Sequence, residues 1–193
     1  LLRLAFDGAP FCGWQTQPRQ RTAQGDLDLA LTTLLRQTII TVGAGRTDTG
    51  VHAKEMYAHF DWQPELAIDI DDTEHLKYRL NRFLDPAIHV SEIREVASDW
   101  HARFDAISRS YDYLMSDKGS PFYRNHAWMV SEMPNVSLMN QAAAVLLTMT
   151  DFASFCKNGS NNKTTLCNVT KAEWVEKEEL WVFEITADRF LRN

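Results

Sequence analysis

The pattern of hydrophobic and polar positions near the start of the chain switches from the period of a strand to that of a helix. The opening LLRLAFDG predicts a strand, and TAQGDLDLALTTLLRQ predicts a helix with Thr22 as its N-cap. The apolar face of that helix consists of Leu27, Leu31, Leu34 and Leu35. The β-branched segment TIITVGA then predicts a second strand.

Strand spacing and helical spacing alternate again over the following forty residues. KEMYAHFDW predicts a strand, DDTEHLKYRLNRFL a helix, and AIHVSEIREV a further strand. The apolar positions are Met56, Ala58, Phe60 and Trp62 on the strand, and Leu76, Leu80, Phe83 and Leu84 on the helix. The resulting order, β-α-β-β-α-β, is that of a ferredoxin-like fold, in which helices cover one face of an antiparallel sheet.

A second round of the same pattern begins after residue 100. ISRSYDYLMS predicts a strand and SLMNQAAAVLLTM a helix, with Ser137 as the expected N-cap. The expected helix face is Leu138, Ala142, Val145, Leu146 and Met149. TTLCNVTKAEWVEK and LWVFEITAD predict a hairpin, and the pattern stops at Asn193 before a last helix and strand. We therefore expect an α+β protein with two ferredoxin-like halves, residues 1–100 and 101–193, the second truncated.

Composition excludes several classes of protein. Three widely spaced cysteines without a CxxC pair, and histidines without an HExxH pattern, predict structural thiols and no metal site. The sequence has no apolar run of about 18 residues and no signal-like start, so we expect a cytoplasmic protein with no membrane segment.

The charge of the chain argues against general coating of nucleic acid. The formal net charge is -6, but residues 1–60 carry six Lys or Arg against five Asp or Glu, whereas residues 61–100 carry four against ten. A polyanionic partner is therefore expected near the first segment.

The segment GAGRTDTGVHA, residues 43–53, is the strongest candidate for chemistry. It starts like a phosphate-binding GxGxxG loop, but Asp48 replaces the third glycine and a strand, not a helix, follows. Alternatively, the Asp48 side chain could form a hydrogen bond to the backbone of a simple turn between two strands. Arg46 two residues earlier, and flanking glycines that would let neighbouring backbone approach, favour a carboxylate held for use at the end of a strand.

Several segments together resemble one known family. GRTDTGVHA, from Gly45 to Ala53, resembles the active-site signature GRTDxGVHA of the TruA family of tRNA pseudouridine synthases. Other segments that agree in order and spacing are FDGAPFCGWQ, RLNRFL, DWHARFDA, RSYDY, DFASF and FLRN. The resemblance covers nearly the whole chain.

The resemblance implies a function and roles for three residues. Asp48 would be the catalytic aspartate, Tyr111 the active-site tyrosine, and Arg46 the arginine that helps to take the target nucleotide out of the RNA stack. A final active-site arginine of the family would lie beyond Asn193. The substrate would be uridine in the anticodon stem-loop of tRNA, at positions 38 to 40, bound across a homodimer, and the isomerisation would require no cofactor.

Two other functions stay open at this level. The chain could be an RNA-binding module or tRNA chaperone without activity, or an aspartyl-phosphate phosphotransferase that uses the DTG sequence and a divalent metal. Tyr111 could be an ordinary sheet aromatic, and we expect Tyr113 to be core. His52 and His101 are expected to pack or to form hydrogen bonds behind the site. Cations that could line a path for phosphates are Arg3, Arg19, Arg21, Lys54, Lys157 and Lys163.

Overall fold

The computed structural model describes residues 1–63, 72–157 and 164–191. The chain divides into two compact units, Leu1–Ala106 and Ile107–Asn193. The first unit contains β1 (Leu2–Phe6), α1 (Ala23–Leu35), β2 (Val42–Gly43), β3 (Ala53–His59), α2 (Thr73–Phe83) and β4 (Ile88–Ile93). The second contains β5 (Arg109–Ser116), β6 (Trp128–Met129), α3 (Val136–Leu146), β7 (Val169–Lys177) and β8 (Leu180–Ala187).

The first unit has the predicted β-α-β-β-α-β order. Its strands form an antiparallel sheet in the order β2-β3-β1-β4. The register places Leu4 opposite both Met56 and Val90, so that apolar side chains from three strands share one face. Both helices pack on that face, because Leu27 of α1 and Leu76 of α2 belong to the same buried cluster. The α+β prediction is therefore confirmed for this half.

The local signals that define the first unit are mostly confirmed. The Thr22 hydroxyl accepts a hydrogen bond from the Gly25 N–H at 3.1 Å, as expected of an N-cap. The predicted second strand is much shorter than TIITVGA, since it retains Val42–Gly43 alone, and Ile40 before it is 70% exposed. Phe83, expected on the buried face of α2, is 50% exposed.

The second unit is a four-stranded, mainly antiparallel sheet in the order β6-β5-β8-β7. The predicted hairpin is present as β7 and β8, whereas the short parallel strand β6 was not predicted. Ser137 is not the N-cap of α3. The helix begins at Val136, and the Asn135 side chain accepts from the Leu138 N–H at 3.1 Å.

The apolar face predicted for α3 is also partly wrong. Leu138 and Val145 are more than half exposed, whereas Ala143 is buried against the sheet and Leu146 packs beside it. Asn140 lies on the packed side because its amide bonds both backbone groups of Trp174, at 2.7 and 3.0 Å. This polar anchor to β7 rotates the helix away from the face that hydrophobicity alone favours.

Candidate active site

The segment between β2 and β3, residues 44–52, carries two of the predicted site residues, and we call it the catalytic loop after the role that the resemblance implies for it. Arg46 and Asp48 are both exposed. Thr47 between them is turned inward, and its hydroxyl is inaccessible to solvent. The alternation presents a guanidinium and a carboxylate to solvent from the same short segment.

A tight turn fixes the backbone of Asp48. The Val51 N–H donates to the Asp48 carbonyl at 3.2 Å, which closes a turn over residues 48–51. Gly50, the third residue of this turn, has a φ of +78°, the conformation needed at that position of a type II turn. The backbone conformation therefore favours a glycine at position 50.

The segment between β1 and α1 supports the catalytic loop through backbone hydrogen bonds. The Trp14 N–H donates to the Thr47 carbonyl at 3.2 Å, and the Gly50 N–H donates to the Phe11 carbonyl at 3.3 Å. Trp14 and Phe11 are themselves almost fully buried. The backbone is thus held on both sides of Asp48 by groups that belong to the core.

Three glycines outside the centre of the motif allow this close packing. A Cβ at Gly8 would lie 2.2 Å from the Val51 carbonyl oxygen, and one at Gly13 would lie 2.4 Å from the Thr47 carbonyl oxygen. A Cβ at Gly43 would lie 2.6 Å from the indole nitrogen of Trp14. By contrast, a Cβ at Gly45 or Gly50 would meet nothing within 4 Å. The expectation that the glycines flanking Asp48 provide room for neighbouring backbone is therefore wrong for these two.

Helix α1 holds the strand that leads into the catalytic loop. Asp28 accepts hydrogen bonds from the Thr41 N–H at 2.9 Å and from the Thr41 hydroxyl at 2.6 Å. Gln24 donates to the Thr41 carbonyl at 2.6 Å and accepts from the Thr16 N–H at 3.0 Å. Burial raises the pKa of Asp28, an effect opposed by its bonds to Thr41. Asp28 and Gln24 thus tie both supporting segments to one helix.

Three histidines of the first unit bind backbone, as predicted for His52 and His101. His52 Nδ1 lies 3.1 Å from the Gly8 nitrogen and accepts its hydrogen bond, and His101 Nδ1 accepts from the Arg103 N–H at 3.1 Å. His59 accepts from the Ala102 N–H at 3.1 Å, and burial, followed by the adjacent His101, lowers its pKa. These imidazoles hold segments of backbone together.

Tyr111 lies on β5 of the second unit, whereas Asp48 and Arg46 belong to the first unit. It pairs with Ile185 of β8, and its ring meets that of Phe190 edge to face at 4.9 Å. Tyr111 is 36% exposed, so its ring is partly available. Tyr113, two residues further along the strand, is 53% exposed, and the expectation that it is a core residue is therefore wrong.

Comparison with known proteins decides the family. A family model described as tRNA pseudouridine synthase matches residues 142–193. A protein named tRNA pseudouridine synthase A from Azobacteroides pseudotrichonymphae genomovar. CFP2 is 44% identical over 190 residues, which cover 98% of this chain and 74% of that protein. A protein of the same name from Chlorobaculum tepidum is 34% identical over 193 residues, covering 100% of this chain and 76% of that protein.

This chain belongs to the tRNA pseudouridine synthase family. The predicted resemblance is therefore confirmed, and with it the class of enzyme, an isomerase. The family signature coincides with the catalytic loop described above. The sequence did not single out the supporting residues Gly8, Gly13 and Trp14 as part of the site, although they lie in FDGAPFCGWQ, a segment that carries part of the resemblance.

The cations that were expected to line a path for phosphates fall into two groups in this pseudouridine synthase. Arg3 forms an ion pair with Glu55, and Arg21 binds both Asp26 at 2.6 Å and Asp85 at 2.7 Å. Three others are exposed, namely Arg19, Lys54 and Lys157, while Lys163 lies outside the described residues. Arg3 and Arg21 must leave their carboxylate partners to bind a phosphate.

Residues 1–63, 72–157 and 164–191 contain neither a cluster of metal-binding side chains nor a helix able to cross a membrane. Over these residues, histidine, cysteine, aspartate and glutamate nowhere assemble in a group of three or more that could hold a metal ion. The helices of the same residues are too short or too polar to cross a membrane.

Proposed function

We propose that this protein converts uridine to pseudouridine in the anticodon stem-loop of tRNA, with Asp48 as its catalytic carboxylate. The observation that carries the proposal is the exposed Asp48 on a backbone held at both ends, in a chain that belongs to the tRNA pseudouridine synthase family. A carboxylate on a rigid turn is suited to catalysis because it is already held in one position before the substrate binds.

The reaction explains why one carboxylate is central. The bond between ribose C1′ and uracil N1 breaks, the base turns, and C1′ bonds to C5, while C5 loses a proton and N1 gains one. Asp48 can attack C1′ as a nucleophile or remove a proton from C2′ to give a glycal-like intermediate. No electrons enter or leave, so the rearrangement requires no redox cofactor.

Arg46 is proposed to act on the RNA. A uridine inside a stem has to leave the base stack before its sugar is accessible, at a cost of a few kcal/mol. The guanidinium is planar and exposed, so it can stack in the place of the base or pair with a phosphate. Its position two residues from Asp48 brings this function to the reacting sugar.

Tyr111 is proposed to hold the uracil after the glycosidic bond breaks. A phenol ring offers an apolar face for stacking, and its hydroxyl can assist removal of the C5 proton. Contact with Phe190 leaves part of the ring exposed, which supports such a role.

The function is tested by tritium release. An unmodified tRNA transcript with tritium at uracil C5 is incubated with the protein, and the label released to solvent is counted. We expect release from anticodon-arm uridines, its loss in Asp48→Asn, and tRNA affinity unchanged in that variant. Asp99→Asn serves as a matched control, because Asp99 is an exposed aspartate of the same unit.

Two outcomes would overturn the proposal. Wild-type protein that binds tRNA but releases no tritium would be an RNA-binding module or chaperone, the alternative that the sequence leaves open. Full activity in Asp48→Asn would remove the carboxylate from the mechanism while leaving the enzyme class intact.

We also propose that the enzyme acts in the cytoplasm as a homodimer with the tRNA lying across both subunits. The support is electrostatic, since a chain of net charge -6 attracts RNA only where a local cleft is positive. A cleft lined from two subunits would bring cations of both chains to one RNA, although in each chain 26 Asp and Glu outnumber 20 Lys and Arg. Light scattering of the purified protein is expected to give twice the mass of one chain, and a monomer that retains activity would contradict this proposal.

A further inference from the structure

The side chain of His52 connects the end of the catalytic loop to the start of the supporting segment, directly after β1. Its Nδ1 lies 3.1 Å from the backbone nitrogen of Gly8. The same nitrogen lies 2.9 Å from Oδ1 of Asp7. His52 is exposed at the surface, with 34% of its side chain accessible to solvent. His52 is therefore one partner in a contact between segments 44 residues apart in sequence.

One ring nitrogen cannot make both bonds together. Without a proton, Nδ1 accepts from the Gly8 N–H, and with a proton it donates to the Asp7 carboxylate. Asp7 and Gly8 are adjacent and follow directly on the buried Phe6. In both protonation states, His52 thus holds the catalytic loop to the same point at the end of β1.

This contact reaches Asp48 through three further links. His52 follows Val51, whose carbonyl packs against Gly8 more closely than any side chain at position 8 would allow. The Val51 N–H closes the turn by donating to the Asp48 carbonyl at 3.2 Å. Displacement of His52 from Gly8 would release Val51 and, with it, one side of the Asp48 turn.

We propose that His52 is a positioning residue of the reaction, which fixes the Asp48 carboxylate by tying the catalytic loop to the backbone of residues 7–8. His52 itself does not touch the substrate. The proposal rests on the proposed function, because its consequence is read from the isomerisation. A misplacement of about 1 Å at a reacting group lowers the rate by about 100-fold.

The test compares two replacements of His52 in the intact protein. His52→Ala removes the tie, and we expect the rate at saturating tRNA to fall by about 100-fold with the Kd for tRNA unchanged. His52→Asn restores an acceptor and a donor at the reach of Nδ1, and we expect at least about tenfold of this loss to be recovered. The control is His89→Ala, since His89 is exposed on β4 of the same unit.

The outcomes separate the two proposals. If the unchanged protein releases no tritium, the proposed function fails and His52 is not at issue. If it releases tritium and folded His52→Ala matches its rate, the positioning role is overturned. A weaker Kd for tRNA at an unchanged rate would make His52 an RNA contact instead. An equal loss of rate in His52→Asn and His52→Ala would refute the positioning role, even where the alanine variant folds poorly.

Discussion

Replacement of Gly8 by alanine is the most direct test of how the catalytic loop is held. The new Cβ would lie 2.2 Å from the Val51 carbonyl oxygen and 2.4 Å from the carbonyl carbon. Ordinary contact begins near 3.4 Å, so the oxygen would have to retreat by about 1.2 Å. Residue 8 itself cannot move easily, because the Asp7 N–H donates to the Ala87 carbonyl at 2.8 Å and Phe6 is buried.

The displacement sets the expected magnitude. Because Val51 closes the turn on the Asp48 carbonyl, most of the shift passes to the residue that carries the carboxylate. A shift of about 1 Å corresponds to a rate loss of about 100-fold, or about 2.7 kcal/mol in the activation free energy. Overpacking is expected to cost a further 1–3 kcal/mol, roughly, in the free energy of unfolding.

Single-turnover tritium release at saturating tRNA, well below the melting temperature, isolates the effect on catalysis. Gly45→Ala controls for stability, since its Cβ would meet no protein atom within 4 Å and the melting temperature should not change. A folded Gly8→Ala protein that turns over at the wild-type rate would show that the contact with Val51 does not position Asp48.

Three further substitutions test other parts of the structure. Thr22→Ala removes the N-cap of α1 and should lower the free energy of unfolding in urea by about 1 kcal/mol; an unchanged midpoint would contradict the capping role. Asp28→Ala leaves the N–H and hydroxyl of the buried Thr41 without their acceptor, and the free energy of unfolding should fall by about 1–3 kcal/mol in the same assay. An unchanged free energy of unfolding would show that Asp28 is not needed to hold the segment that enters β2. Hydrogen bonds from two lysines, Lys171 first and then Lys177, lower the pKa of Glu184 from 4.5 to about 2, so its contribution to stability is fully present above pH 4.5 and is lost as the pH falls towards 2. Glu184→Gln should flatten acid unfolding over that interval, and an identical pH profile would refute the assignment.

Much of the fold of the first unit was predictable because its signals are local. The period of Leu27, Leu31 and Leu35 marks a buried helix face, and Thr22 marks its start. The second unit was less predictable. The prediction of the buried face of α3 was wrong because the Asn140 amide determines which side of the helix meets the sheet. Its partner, Trp174, lies on β7, 34 residues later.

The sequence alone determined the family and the identity of the candidate catalytic residues. Nine consecutive residues from Gly45 to Ala53 match a specific signature, and such a match requires no knowledge of distances. The roles of Asp48, Arg46 and Tyr111 remain proposals that follow from this match.

The tertiary structure alone decided what supports the catalytic loop. Gly8 and Gly13 are the glycines that admit neighbouring backbone, whereas Gly45, inside the signature, has open space where a Cβ would be. The proposed positioning role of His52 depends on its hydrogen bond with Gly8, 44 residues earlier. Periodicity and turn chemistry describe interactions within a few residues, but the position of a carboxylate is fixed by packing between segments that only the folded chain brings together.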